Sequence, residues 1–346
     1  MRGRRKRNEI IFIALLFSGF RGRVEIAPEA HNKTCRPAVF KEWMNTLRMH
    51  KILPLLLLIL VIQPLQAQID VKADYVGTSD LKDDDGNRVG QGNMATLSAA
   101  YSQPLSFKLN ERHQPTAWLM NLHARYSALD NEDGAEAYAP DDIFNAGLNV
   151  IHLRPLGQRW SLMATLGAGL YTDLEKVSLN SFLLNGGAIF IYKINSQLDL
   201  GIGAGITNSY GAPAALPMFY VKYTTTGRYQ IDLTMVGGMK LSVKRLWSDH
   251  FATTLHVLDM DGTSAVMKVD GRWKVYSTML MRSMLMAEYM PTKKVQLSAG
   301  LGYTWRRSSR LSGRSFKNFY KSIFSDDDRM HFAPAPTFRI GANIKL

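Results

Sequence analysis

Residues 160–171 read WSLMATLGAGLY and residues 198–207 read LDLGIGAGIT. In the first stretch Trp160, Leu162, Ala164, Leu166, Ala168 and Leu170 alternate with Ser161, Met163, Thr165, Gly167, Gly169 and Tyr171. In the second, Leu198, Leu200, Ile202, Ala204 and Ile206 oppose Asp199, Gly201, Gly203, Gly205 and Thr207. Side chains on a strand point to opposite faces with period two, so each stretch is a strand with one apolar face and one small or polar face.

The same alternation recurs outward from these two stretches. Trp118, Met120, Leu122, Ala124 and Tyr126 oppose Leu119, Asn121, His123, Arg125 and Ser127. Val295 to Trp305 and the terminal Phe338 to Leu346 repeat it. Each run is about 9–11 residues, the length of a tilted strand that crosses a bilayer, whereas soluble strands run about 5–6. No later segment is continuous and apolar enough for a membrane-spanning helix. Short connections at 154–159, 193–197, 225–228, 248–250 and 291–294 alternate with longer polar ones at 78–93, 129–142, 172–181, 259–272 and 306–336. Short turns at one end and long loops at the other predict an all-β fold, an antiparallel transmembrane β-barrel with short periplasmic turns and long extracellular loops. Counting from Ile69 gives about 14 strands, with 12 as the alternative. The hairpin through Gly237-Gly238 and the strand after Ile69 have the weakest patterns. The competing architecture is a periplasmic β-sandwich, which does not need strands this long.

The net charge of +13 suggests nucleic acid only until it is located. Residues 1–67 hold 12 basic and 4 acidic residues, so the remainder carries 42 − 12 = 30 against 29 − 4 = 25, a net of +5. Two apolar runs lie in this leader, Ile10–Phe20 and Ile52–Ile62, each behind basic residues. The second leads to Leu65-Gln66-Ala67, a small residue placed for cleavage before Gln68, as in a secretory signal peptide. The expected organisation is a disordered leader or over-extended start over 1–48, a signal peptide over 49–67 and a barrel over 68–346. Cys35 is the only cysteine, so a chain starting at Gln68 has no disulfide, zinc-thiolate site or thiol nucleophile.

The chain resembles the uncharacterised outer-membrane β-barrel proteins of Bacteroidetes type. The resemblance rests on Leu65-Gln66-Ala67-Gln68, the repeated strand–turn–strand units and the terminal strand Phe338 to Leu346, and covers Gln68 to Leu346. It implies the fold, export to the outer membrane of a Gram-negative cell, and contact with lipid and the barrel assembly machinery. It implies no activity.

The polar faces supply the candidate functional residues. Arg125, Lys240, Lys244, Arg282 and Arg339, with Asp199, Asp232 and Glu288, fall on the inward face, since charge is expensive toward lipid. Two arrangements fit them: a pore with a mild preference for anions, or a network of paired charges that fills a closed lumen. The glycines of 201–205 lie on one strand face with no helix after them, so they are small lumen positions rather than a nucleotide loop. Asp83-Asp84-Asp85-Gly86 and Asp259-Met260-Asp261-Gly262 lack EF-hand spacing and are expected to be solvated turns. His123, His152 and His256 are isolated strand histidines, and no catalytic set, metal or cofactor is expected. Trp118, Tyr126, Trp160, Trp247, Trp273, Tyr289 and Trp305 suit an interfacial belt.

In the last long connection Phe316, Phe319, Tyr320, Ile323 and Phe324 fall on one face of a helix. Arg306, Arg307, Arg310, Arg314, Lys317 and Lys321 surround it. Such a stripe is expected either to plug the barrel mouth or to lie on the membrane with its basic residues on lipopolysaccharide phosphates. The functional expectation is a passive channel or small-solute transporter with a partly plugged lumen. The alternative is a structural or interaction barrel, without a pore, that binds lipopolysaccharide or a protein partner. No nucleic acid partner is expected, and the mature chain is too short for a 22-stranded transporter with its plug.

Overall fold

The computed structural model describes residues 67–111, 114–207, 214–235, 238–313 and 330–346. The alternation becomes strands in every case. In order they are β1 (Gln68–Lys82), β2 (Arg88–Leu109), β3 (Pro115–Glu132), β4 (Asp142–Pro155), β5 (Trp160–Thr172), β6 (Phe182–Lys193), β7 (Leu198–Thr207) and β8 (Ala214–Thr224). They continue as β9 (Tyr229–Met235), β10 (Met239–Leu246), β11 (Phe251–Val269), β12 (Arg272–Thr292) and β13 (Val295–Ser308). Two short strands, β14 (Arg310–Gly313) and β15 (His331–Phe332), precede the terminal β16 (Ala335–Lys345). Each long strand pairs antiparallel with its neighbour. β1 closes the ring on β16, from Gln68 opposite Lys345 to Val76 opposite Thr337. The result is a closed 14-strand antiparallel β-barrel, with β15 held in the wall between β1 and β13 and β14 added to the edge of β12. Closure removes the two unpaired edges that an open sheet of this composition would expose.

The faces sort as the period-two pattern requires. Leu166, Leu184, Ile202, Leu301 and Ile340 stand on the outside and are more than 60% exposed. On the inside Asn145, Thr304, Thr337 and Arg339 are buried. The gap in the pattern at Gly237-Gly238 falls between β9 and β10, where Met235 lies opposite Met239, and the residues after Ile69 form β1.

The long connections differ from the sequence reading. Most of 78–93 is strand, and its turn is only 83–87, held by the Asn87 amide donating to Asp83 Oδ1 at 2.8 Å. The stretch 259–272 is not a loop: β11 and β12 run through it and meet at the two-residue turn Asp270-Gly271, both at positive φ. Strands of 22, 19 and 21 residues (β2, β11 and β12) exceed what a bilayer needs. Polar composition had suggested loops there, but outside the apolar band a paired hairpin satisfies its backbone whatever its side chains are.

The excess length of β11 and β12 decides the interior. β10 accompanies β11 only as far as Met239 opposite Met260. Above that level β11 keeps β12 on one side and leaves the wall. Its far end meets the opposite side, where Val266 pairs parallel with Thr172 of β5. β14 adds to the other edge of β12, opposite Lys274–Ser277. This small three-stranded sheet crosses the barrel and packs on the inward faces of β1 to β4. Ala265, Tyr276 and Leu280 join Val76, Met94, Leu129 and Ile143 in one buried cluster. Trp273, expected in the outer aromatic belt, rides on this sheet and packs toward Tyr171, Leu183, Val266 and Val275. The other six belt aromatics are exposed on the wall.

Candidate functional site: the lumen and its inserted sheet

Where β11 leaves the wall, it carries Asp259 and Asp261, two residues apart and therefore on one face. Arg282 of β12 reaches Asp259 Oδ2 at 3.1 Å, Asp74 Oδ2 at 3.5 Å and Asp261 Oδ2 at 3.5 Å. Arg339 of β16 donates from Nη1 to Asp259 Oδ2 at 3.0 Å and from Nη2 to Asp74 Oδ2 at 3.2 Å. From across the lumen, Arg125 of β3 grips Asp261 with two bonds of 2.7 and 3.1 Å and donates to the Gly262 carbonyl at 2.8 Å. Beside it Asn145 of β4 donates to the Ser264 carbonyl at 2.7 Å. Nearer the short-turn end, Lys244 Nζ meets Glu288 Oε2 at 2.6 Å, and the Thr254 hydroxyl donates to Oε1. Four cations (Arg125, Lys244, Arg282, Arg339) thus face four carboxylates (Asp74, Asp259, Asp261, Glu288). Buried charges persist when paired and bridged in this way, although the Arg282 Nε–H is buried without a hydrogen-bond partner.

Of the remaining predicted charges, Asp199 and Asp232 sit on the wall formed by β7 to β10, beside Lys222, which the sequence reading did not single out, and Lys240 lies at the margin of the network opposite Asp259. Asp199 lies opposite Lys222, Lys222 opposite Thr234, Asp232 opposite Ser242, and Lys240 between Thr234 and Asp259. Lys222 and Lys240 are exposed, and Asp199 and Asp232 half-buried. Among the described residues none of these four enters an ion pair. The inner wall is therefore divided: one side is sealed by the sheet and its ions, and the other offers charge to water.

Sequence reasoning missed Asp74, Asp259 and Asp261, the anionic half of the network. Asp74 shares the inward period of Asp70 and Lys72. Asp259 and Asp261 had the right spacing as well, but Asp259-Met260-Asp261-Gly262 had been read as a solvated turn. It is strand, and both carboxylates are on arginines. Among the described residues there is no group of three or more metal-ligating side chains placed to hold an ion.

His123 sits inward near Asn149, while His152 stacks on Trp118 at 4.1 Å on the outer face. Arg307, one of the basic residues expected around the aromatic stripe, is buried. Its guanidinium lies 3.4 Å over the Phe332 ring and donates to the carbonyls of Asn93 and Gly92. The aromatic stripe Phe316, Phe319, Tyr320, Ile323 and Phe324 lies outside the described residues. The glycines on the inner faces of β6 and β7 permit close approach: a Cβ at Gly187 or Gly205 would lie 2.7 or 2.6 Å from the Met218 sulfur.

No curated protein matches the chain in sequence. Among solved structures, an outer-membrane channel from Pseudomonas putida F1 is similar at 11% identity and a TM-score of 0.41, over 82% of this chain and 97% of that one. The NanC porin gives 9% and 0.32, over 80% and 100%. The toluene transporter TodX of P. putida gives 8% and 0.31, over 82% and 91%. The family DUF6268, a domain of unknown function, matches residues 63–345, and the chain belongs to it.

Proposed function

We propose that this protein is an outer-membrane channel for small solutes, narrowed by the sheet that β11 and β12 carry into the barrel. The observation that supports it is the divided lumen inside a closed wall. Charges on β7 to β10 remain open to water although the other side is packed. A barrel whose only role was structural would need no such hydrated face. Purified protein in planar bilayers is expected to show a small, steady conductance. Folded, inserted protein without conductance would overturn the reading. Because the network pairs four cations with four carboxylates, and Lys222 and Lys240 stand against Asp199 and Asp232, the reversal potential in a salt gradient is expected near zero. The mild anion preference that the sequence allowed is not part of this proposal.

Membrane insertion has its own test. Leu166 is 71% exposed on the outer face. Leu166→Arg is expected to cost about 2–4 kcal/mol in refolding into lipid vesicles, the penalty of a charge near the bilayer midplane. Thr165→Arg, on the half-buried inner face, should cost clearly less. Gly167 is a poor inward control, since a Cβ there collides with the Asn149 and Asn185 amide oxygens. Equal losses at 165 and 166 would remove the lipid assignment of this face. Export through a signal peptide cut before Gln68 belongs to the same reading, supported by the start of β1 at Gln68. N-terminal sequencing of the membrane-extracted protein checks it, and a retained Cys35 would refute it.

A further inference from the structure

On the outside of the barrel, near the short turns, one guanidinium stands without an anion. Lys244 and Arg245 are adjacent on β10 and point to opposite faces. Lys244 turns inward to Glu288. Arg245 turns outward, opposite Tyr229 of β9 and Thr253 of β11. A cation on this face is costly at membrane depth unless its head reaches the interface.

Aromatic rings hold it there. The Arg245 Cζ lies 3.6 Å from the centroid of the Trp247 ring and 5.4 Å from that of Tyr229. The Trp247 indole donates to the Thr253 hydroxyl at 2.9 Å, and its backbone amide to the Phe251 carbonyl at 3.0 Å, so the platform is fixed to β11 as well as β10. Ring faces attract the charge but accept none of the N–H donors, which lie in the guanidinium plane. Nε is buried without a hydrogen-bond partner, and no carboxylate among the described residues pairs with Arg245. Its charge is left to be met through the two Nη groups. Arg88, at the long-loop end, shows the contrast: its donors are taken by Asp80 at 2.9 Å and Asp133 at 2.7 Å.

We infer that Arg245, on its Trp247 and Tyr229 platform, is a headgroup site that holds the phosphate of an anionic phospholipid in the leaflet the short-turn end reaches. The two Nη groups match two phosphate oxygens, the bidentate arrangement for which a planar guanidinium is suited. A lipid fits better than free phosphate because the next outward row toward the barrel middle is Ile231, Val243 and Leu255, an apolar surface for the acyl chains. Ile231 and Leu255 are exposed. An anionic lipid fits better than a zwitterionic one because the short turns carry Arg159, Arg228, Lys293 and Lys294 against Glu111 and Asp249 among the described residues. A headgroup with its own ammonium is disfavoured beside that rim. The inference goes beyond the channel reading and rests only on the membrane position of the outer face.

Native mass spectrometry of the purified protein in detergent tests this. Phosphatidylglycerol and phosphatidylcholine of equal chain length are added together, and the retained lipids of each kind are counted. Folding is checked by the heat-dependent gel shift. The wild type is expected to retain several-fold more phosphatidylglycerol than phosphatidylcholine. Arg245→Gln should bring the ratio close to one, and Arg88→Gln, which also removes one charge, should leave it as in the wild type. Trp247→Leu keeps the charge but removes the platform, and should lose most of the excess; it also decides the matter if Arg245→Gln does not fold. An unchanged ratio in Arg245→Gln or Trp247→Leu would overturn the site. Excess inorganic phosphate should not displace the lipid; displacement would show that the free anion is the ligand. If the wild type retains neither lipid, the membrane reading itself fails; if it retains both equally, only the headgroup site does.

Discussion

Removing Gly262–Met279 and joining Asp261 to Leu280 through an Asn-Gly turn is expected to raise the conductance several-fold while the barrel still folds. Asp261 and Leu280 face each other directly across the β11–β12 ladder, so a two-residue turn there closes the hairpin without changing register. The deletion takes away the two strands that cross the lumen, with Ala265, Val266, Val275 and Tyr276, all fully buried in the native protein, and leaves β14 without its partner. The wall ladders remain: β10 still pairs with β11 up to Met260, and β12 with β13 up to Leu280 opposite Arg307. Val76, Met94, Leu129 and Ile143 lose their packing partners and become lumen surface, so thermal stability should fall. Folding is checked by the heat-dependent shift of a barrel on a gel, and conductance in planar bilayers. A folded variant with unchanged conductance would show that the sheet does not limit the passage.

Much of the wall was legible from side-chain period alone. Segments such as 160–171 and 295–305 face lipid on one side and a shared interior on the other, and this double exposure writes a strict alternation into the sequence. The inserted sheet was not legible for the same reason. Residues 261–279 face neither lipid nor the lumen wall in the ordinary way. Ala265 and Val266 are adjacent and both buried, as are Val275 and Tyr276, so the period-two signal disappears where the strand is covered on both faces. The site divides likewise. Cations such as Arg282 and Arg339 stand out in a strand because an arginine there must face inward. Asp259 and Asp261 were hidden by Gly262, since aspartates before a glycine read as a turn. The choice of partner lay beyond any pattern, because Arg125 and Asp261 are brought together only by β11 crossing the barrel. A plug was expected from the aromatic stripe at 316–324. The constriction described here comes from β11 and β12.

Arg339→Met is expected to be among the most damaging single substitutions inside the lumen, at about 3–5 kcal/mol, the usual loss when one member of a buried ion network is removed. Its guanidinium bridges Asp74 and Asp259, and without it one carboxylate is left in a site that water hardly reaches. Methionine keeps the aliphatic stem but not the guanidinium, so the loss reports the missing charge, its hydrogen bonds and the volume of the guanidinium together. The same logic predicts a rescue. In the native protein Arg125, Arg282 and Arg339 balance Asp74, Asp259 and Asp261, three against three. Adding Asp74→Asn to Arg339→Met restores balance at two against two, and most of the stability should return. A control comes from the more exposed pair of Lys72 and Asp70 at 3.3 Å, where Lys72→Ala should change stability by about 0–1 kcal/mol. Urea-dependent refolding into vesicles measures all three. If Arg339→Met costs no more than Lys72→Ala, the charges do not hold the sheet. If Asp74→Asn brings no recovery, the damage comes from lost hydrogen bonds at Asp259 rather than from the unbalanced carboxylate. The conductance of Arg339→Met separates these further. Asp74, left with only its 3.5 Å contact to Arg282, repels Asp259 at the point where β11 leaves the wall, so the sheet should loosen and the channel should flicker between a low and a high level, and Asp74→Asn should quiet it.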